Sequence, residues 1–118
     1  MKESPIFSRT YDLLRWVIPV TIKFPRQQRF VLAESVQRTA LTLHEQLIEA
    51  AFSDDPLPVL KQADLSLAKL RFYLRLCRDL ELISMDQFSH VARMISEIGR
   101  LLGGWTKTQA ARSSGFSR

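Results

Sequence analysis

The stretch that decides the fold is residues 11–30, YDLLRWVIPVTIKFPRQQRF. Its first half carries apolar residues at helical spacing, which predicts a helix that buries one face. Phe24 should end this helix, because a residue that precedes proline is disfavoured in the α conformation. Amphipathic helical spacing resumes directly after Pro25, so the stretch predicts two helices joined by a tight corner that carries Arg26 and Arg29.

The first helix should begin near Ser4-Pro5, since serine is a good N-cap and proline is tolerated at the first helical position. Pro19 lies inside the pattern. We expect it to kink the helix without ending it, because the apolar periodicity continues beyond it.

Three further helices are predicted at residues 26–52, 59–78 and from Ser84 to Gly103-Gly104. Each has an apolar row with alternating spacings of three and four, and the connections between them are short. We therefore predict an all-α, antiparallel up-down-up-down four-helix bundle. Residues 1–104 should form the bundle domain, and residues 105–118 should form a flexible basic tail, because they lack apolar periodicity.

The composition fits one small soluble domain: the chain has 118 residues, 46% of them hydrophobic, with a net charge of +5. A single cysteine fits a reducing compartment. We find no signal peptide and no apolar run of membrane-spanning length, so we expect a cytoplasmic protein without a membrane partner.

Two of the predicted helices carry more apolar surface than one core needs. Leu65, Phe72 and Leu76 lie opposite the core face of the third helix, and a second apolar row, Leu41, Ile48 and Phe52, lies beside the core face of the second. Because soluble monomers avoid large exposed apolar patches, we predict a homo-oligomer whose interface includes Leu65, Phe72 and Leu76. The alternative is that the third helix is buried on two sides within its own bundle.

Catalytic chemistry is not indicated. His44 and His90 lack the spacing of metal ligands, and Cys77 lies in a core row without a histidine placed nearby by the sequence. The chain contains no phosphate-binding loop, dinucleotide fingerprint or nucleophile elbow. We therefore predict a protein that is not an enzyme and that has no cofactor and no metal site.

Arginine provides the positive signal for binding. Arg71, Arg75 and Arg78 share one face of the third helix and can follow a phosphate backbone. Together with Arg26 and Arg29 they are candidates for contact with nucleic acid or with a protein partner. The alternative for the helical stripe is a solvated face with ion pairs inside the bundle. Trp105 could stack on bases with Lys107 and Arg112 nearby, or it could pack over the end of the bundle.

Several motifs resemble the accessory variability determinant (Avd) proteins of diversity-generating retroelements. This family lies within a wider group of four-helix bundle proteins that includes products of intervening sequences in 23S ribosomal RNA genes. The matching motifs are YDLL at 11–14, Trp16, Pro19, KFPR at 23–26, Arg29-Phe30, LRFYLRL at 70–76 and GRLLGGW at 99–105.

The resemblance implies a barrel-like homopentamer with a positively charged surface and no catalytic activity of its own. It also implies two partners, a retroelement reverse transcriptase and its template RNA or DNA, and a role in mutagenic cDNA synthesis in a bacterial or phage-encoded system. Arg26, Arg29, Arg71, Arg75 and Arg78 are the residues to which this binding is carried over. The alternative is a general structural or RNA-binding bundle related to the ribosomal intervening-sequence proteins.

Overall fold

Four helices account for almost all of the described structure. The computed structural model describes residues 4–116, and no strand occurs in that range. Helix α1 is Pro5–Ile22, and α2 comprises an α-turn at Arg26–Gln28, a π-helical segment at Arg29–Ala33 and an α-helix at Glu34–Ala51 that run into one another. Helix α3 is Leu57–Asp79, and α4 is Met85–Phe116. The predicted all-α four-helix bundle is confirmed.

Side-chain contacts between helices fix their order and direction. Helix α1 contacts α2, α2 contacts α3, α3 contacts α4, and α4 contacts α1, so the four helices stand at the corners of a square. Phe7 near the start of α1 meets Trp105 late in α4, and Trp16 later in α1 meets His90 early in α4. These two helices are therefore antiparallel, as the short connections predict for the consecutive pairs.

Helix α1 begins as predicted. The Ser4 hydroxyl accepts a hydrogen bond from the Ile6 amide at 3.4 Å, and Pro5 occupies the first helical position. The helix continues past Pro19 and ends at Ile22, two residues before the predicted end at Phe24. Phe24 is buried and is the last apolar residue before the corner.

The π-helical segment Arg29–Ala33 was not predicted. A π turn contains more residues than an α turn, so it shifts the faces of the residues within it. Phe30 and Val31 are both 73% exposed, whereas Leu32 and Ala33 are buried. The segment therefore presents two adjacent apolar side chains to solvent beside the α1–α2 corner.

The α3–α4 connection is held by two capping motifs. At the end of α3 the Leu82 amide donates to the Cys77 carbonyl and the Glu81 amide to the Arg78 carbonyl, which is a Schellman motif. Glu81 takes the left-handed position with φ 60°. At the start of α4 the Ser84 hydroxyl accepts from the Gln87 amide at 3.1 Å, and the Gln87 side chain accepts from the Ser84 amide at 2.8 Å. The two reciprocal bonds form a capping box.

Helix α4 corrects one prediction. It does not end at Gly103-Gly104 but continues to Phe116, and neither glycine has a positive φ. Trp105 packs edge-on against Phe7 with ring centroids 6.2 Å apart, so burial beyond the glycines supports the helix. Trp105 was considered either for stacking on bases or for packing over the end of the bundle, and in the structure it packs. Residues 1–3 of the predicted domain and 117–118 of the predicted tail lie outside the described residues. The detachment of residues 105–118 in solution stays a prediction.

The core consists of the predicted apolar rows. Every predicted row residue of α2 and α3 is buried, and so are most of those in α1 and α4. The rows of α2 and α3 are Ala33, Val36, Ala40, Leu43, Leu47 and Ala50, and Leu60, Ala63, Leu67, Leu70, Leu74 and Cys77. The described structure extends over 55 × 25 × 24 Å.

Candidate interaction surfaces

A groove between α3 and α4 contains two of the five predicted binding residues. It encloses about 410 Å³, and its lining is largely apolar, with Ala68, Phe72 and Leu74 from α3 and Phe88, Ala92 and Ile95 from α4. Arg71 and Arg75 also line it. The structure therefore brings two of the predicted binding residues and Phe72, a predicted interface residue, onto one surface.

Arg71 reaches across the groove to α4. A β-carbon placed on Gly99 would lie 2.8 Å from Arg71 Nη2 and 3.4 Å from Leu67 Cδ2. The missing side chain at Gly99 therefore leaves the space that the Arg71 guanidinium occupies. This arrangement holds the charge of Arg71 close to the bundle, although the residue as a whole is exposed.

Arg78 is engaged within its own chain. Its guanidinium lies 4.5 Å from the centre of the Phe88 ring, a cation–π geometry. Its Nε and Nη2 donate to Asp79 Oδ1 at 3.0 and 2.8 Å. Among Arg71, Arg75 and Arg78, Arg78 therefore matches the alternative in which the arginine forms an ion pair within its own bundle.

Arg75 has neither of these constraints. It is exposed at the rim of the groove and forms no ion pair with any described residue. Its charge is available to a partner without the loss of an existing contact.

The α1–α2 corner separates the two remaining candidates. Arg29 Nε donates to the Phe24 carbonyl at 3.4 Å, so it satisfies the backbone at the end of α1. Arg26 is exposed and has no ion pair within the described chain. The corner also exposes Ile22 and Phe30, so it combines free positive charge with apolar surface.

Two exposed apolar surfaces lie on opposite sides of the square. The first surface, the exposed face of α3, comprises Leu65, Phe72 and Leu76, which are 49%, 68% and 45% exposed in that order. Phe72 also lines the α3–α4 groove, together with Arg71 and Arg75. The alternative in which α3 is buried on two sides is therefore wrong for the single chain. That the exposed residues form an interface stays a prediction.

The second surface, the α1–α2 face, comprises Tyr11, Leu41, Glu45, Ile48 and Phe52. Leu41, Glu45, Ile48 and Phe52 recur at spacings of three and four and thus form one ridge on α2. Tyr11 and Ile48 line a shared depression between α1 and α2. The sequence indicates the apolar row on α2, but Tyr11 on α1 has no such signal, because its place beside α2 depends on how the two helices pack.

The histidines and the cysteine have structural contacts. His44 Nδ1 lies 2.7 Å from Thr10 Oγ1, and the His90 ring is 5.9 Å from the Trp16 ring. Within residues 4–116 no group of three potential metal ligands occurs. Burial raises the pKa of the Cys77 thiol to about 11, so it is protonated at neutral pH. No helix in the described range is long and apolar enough to cross a membrane.

Comparisons with known proteins agree with the motifs. A family described as bAvd-like matches residues 5–109. A solved structure of a protein with unknown function from the S23 ribosomal protein family of Bacteroides thetaiotaomicron VPI-5482 is similar, with a TM-score of 0.77 and 18% sequence identity. The similarity covers 86% of this chain and 98% of that one. No curated protein is a significant match.

Proposed function

Because the chain belongs to the bAvd-like family, we propose that it is a non-catalytic accessory protein of a diversity-generating retroelement. In this role it binds the reverse transcriptase and the template RNA or DNA, and it supports mutagenic cDNA synthesis in the cytoplasm of a bacterial host. The family match over residues 5–109 is the observation that carries the proposal.

The five arginines are the proposed contacts, and they differ in whether they already form bonds within the chain. Arg26 and Arg75 are exposed and unpaired within the described chain, so binding a partner breaks no existing ion pair. Arg71 contributes positive charge from beside Gly99. Arg29 and Arg78 already bond within the chain, so we assign them to positioning the corner and the groove.

The apolar neighbours of these arginines support a protein partner beside the nucleic acid. Phosphate contacts need only positive charge and hydrogen-bond donors, which Arg26 provides. Phe30 beside it, exposed by the π-helical segment, gains nothing from phosphate. A protein surface with both carboxylates and apolar side chains covers both kinds of residue.

Self-association is part of the proposal. We propose that Leu65, Phe72 and Leu76 are covered by another copy and that the assembly is a pentameric barrel. Five copies of a +5 chain carry a charge of about +25, which strengthens long-range attraction to nucleic acid.

The test is co-purification of the chain with a retroelement reverse transcriptase that is expressed together with it, at low and at moderate salt. Retention of the polymerase supports the proposal, and no retention even at low salt refutes it. Arg26→Glu should lower retention. Arg93→Glu is the matched control, because Arg93 is also exposed but lies on α4, toward α1.

A general structural or RNA-binding role, as in proteins related to the ribosomal intervening sequences, is the second candidate. The similarity to the S23-family structure is the reason to consider this role. At 18% identity that similarity concerns the fold alone. This role predicts no polymerase partner, so the same co-purification separates the two.

A further inference from the structure

The groove between α3 and α4 is bounded at both ends by contacts between the two helices. At one end the Arg71 guanidinium lies against Gly99, and at the other the Arg78 guanidinium lies over the Phe88 ring. Arg71 and Arg78 are seven residues apart on α3, which corresponds to about 10 Å along a helix. The groove is therefore a short depression with two ends.

The interior of this groove is apolar. Its floor consists of Leu74, Val91 and Ile95, which belong to the buried core. Short side chains leave the space above the floor open at three positions, Ala68, Ala92 and Ser96. An apolar group that displaces water from such a surface is stabilised by the hydrophobic effect.

The charges that line the groove are positive. Arg71 and Arg75 line it, and no aspartate or glutamate among the described residues does. Neither arginine forms an ion pair with a described residue. They are one turn apart on the same helix, so a single carboxylate can reach both guanidinium groups.

Nearby carboxylates do not cancel this charge. Helices α3 and α4 carry four of them, at positions 64, 79, 86 and 97. Those at 79 and 97 are held in ion pairs with arginine, at 2.8 and 2.6 Å. Asp86 shares with Arg93 the face of α4 that is turned toward α1. Asp64 follows Lys61 by three residues, and these two charges offset each other. The net charge at the groove is therefore that of its two arginines.

The volume of the groove decides what kind of molecule it accepts. It encloses about 410 Å³, within the range of roughly 300–1,000 Å³ that is usual for pockets that bury small ligands. One turn of a helix, about 10 Å across and 5.4 Å long, occupies about 420 Å³. A docked helix or a nucleic-acid duplex would leave almost all of itself outside, whereas one acyl chain is largely enclosed.

We propose that the α3–α4 groove binds a small free carboxylate with an acyl chain, such as a medium-chain fatty acid. The chain lies on the apolar floor, and the carboxylate accepts hydrogen bonds from Arg71 and Arg75. This inference goes beyond the proposed function and does not rest on it, because the floor and both arginines belong to two helices of a single chain.

The head group is tested with three amphiphiles that share an eight-carbon chain, each below its micelle concentration. Isothermal titration calorimetry uses the full-length chain in the assembly that it forms in solution, and it should show one octanoate bound per chain. Octanol should bind about fivefold more weakly, and octyltrimethylammonium about tenfold or more. Equal affinity for the anionic and the cationic molecule overturns the proposal.

Substitutions separate the head-group contact from the floor. Arg71→Gln and Arg75→Gln should each lower octanoate affinity about threefold and leave octanol affinity unchanged, because only the anion loses a partner. Arg93→Gln removes the same charge from the opposite side of α4 and should change neither affinity. Octanoate affinity that survives both groove substitutions, or that falls equally in Arg93→Gln, refutes the head-group assignment.

The floor is tested by filling it. Ala92→Phe and Ser96→Leu should each lower the affinity for octanoate and for octanol, because the larger side chain occupies the groove. Neither residue belongs to the buried core, and circular dichroism checks that both variants are folded. Affinities that stay unchanged in both folded variants would place the ligand elsewhere and overturn the proposal.

Chain length gives an independent measurement. From octanoate to decanoate, affinity should rise about fourfold for each CH₂ group that the groove covers, and a flat series contradicts burial of the chain. Sedimentation with phosphatidylglycerol vesicles should leave the protein in solution; co-sedimentation would assign an anionic membrane and overturn the free ligand. Octanoate binding without polymerase retention keeps this site and refutes the accessory role, and retention without octanoate binding does the reverse.

Discussion

Arg71 and Gly99 depend on each other across the α3–α4 groove. A β-carbon on residue 99 would lie 2.8 Å from Arg71 Nη2, which real β-carbons do not do. The contact atom is the end of a flexible side chain, so the arginine can move and the backbone need not. The glycine therefore sets the direction in which Arg71 places its charge.

Gly99→Ala should move the Arg71 guanidinium outward. Alanine favours a helix over glycine by about 1 kcal/mol, and displacing the arginine offsets part of this gain. Gly104→Ala is the matched comparison, because a β-carbon placed on Gly104 would meet no atom within 4 Å, and the substitution should raise stability by the full amount. Thermal unfolding of both variants is the measurement, and equal gains would mean that Arg71 does not rest on Gly99.

Glu81→Gly should stabilise the chain. Glu81 holds the left-handed position of the Schellman motif with φ 60°, where residues with a β-carbon are disfavoured by about 1–2 kcal/mol. Glycine removes this cost but adds entropy to the unfolded chain, so we expect a net gain of about 1 kcal/mol. Chemical denaturation measures it, with Glu81→Ala as the control that keeps the cost; a gain for alanine as large as that for glycine would contradict the explanation.

Cys77 should make stability fall at high pH. Burial raises the pKa of its thiol from 9.0 to about 11. The folded state therefore holds this proton more tightly than the unfolded state, and the contribution is complete below pH 9 and is lost as the pH rises toward about 11. Unfolding free energies of the unchanged chain and of Cys77→Ala should converge over that range. A constant difference between them would contradict the assignment.

The same thiol should be unreactive in the native protein near neutral pH. It is buried and protonated, whereas alkylation needs an accessible thiolate. Labelling with iodoacetamide, followed by mass spectrometry, should show modification only after denaturant is added. Rapid labelling of the folded chain would mean that α3 opens locally at this position.

Trp105→Ala should loosen the end of α4. Loss of the edge contact with Phe7 removes apolar burial beyond the two exposed glycines, so the helix after residue 104 should fray. Amide hydrogen exchange in residues 105–116 should become faster, while exchange in the buried rows changes little. Thr108→Ala is the control, because Thr108 is exposed and bonds only to the Gly104 carbonyl in its own helix. Unchanged exchange in Trp105→Ala would show that Trp105 does not hold this segment.

Apolar periodicity was sufficient to predict the bundle. The apolar rows that contain Leu43 and Leu67 have spacings of three and four, so each row lies on one face of its helix. These faces are buried in the bundle. The π-helical segment escaped prediction because one wider turn changes the faces of only a few residues. The glycines at 103 and 104 predicted a helix end that the structure does not have. A helix ends only where later residues find nothing to pack against, and here Trp105 packs against Phe7.

The sequence predicts that the three arginines of α3 share one face, but it does not predict the contacts that each of them makes. The spacing of Arg71, Arg75 and Arg78 places them on one face, and the structure agrees. Their roles differ because of residues on another helix: Phe88 receives Arg78, and Gly99 makes room for Arg71. Such contacts depend on how α3 and α4 pack, which a sequence pattern in α3 alone does not contain.

The antiparallel order of the helices separates two basic regions by the length of the molecule. The corner with Arg26 lies at the end where α1 finishes, and Lys107 and Arg112 follow Trp105, which sits beside Phe7 at the end where α1 starts. The long dimension of the chain is 55 Å. At 3.4 Å per nucleotide step, a duplex must be about 16 base pairs long to reach both regions at once. Under the proposed function, a shorter duplex can contact only one of the two regions, so affinity for duplexes should rise once their length passes about 16 base pairs.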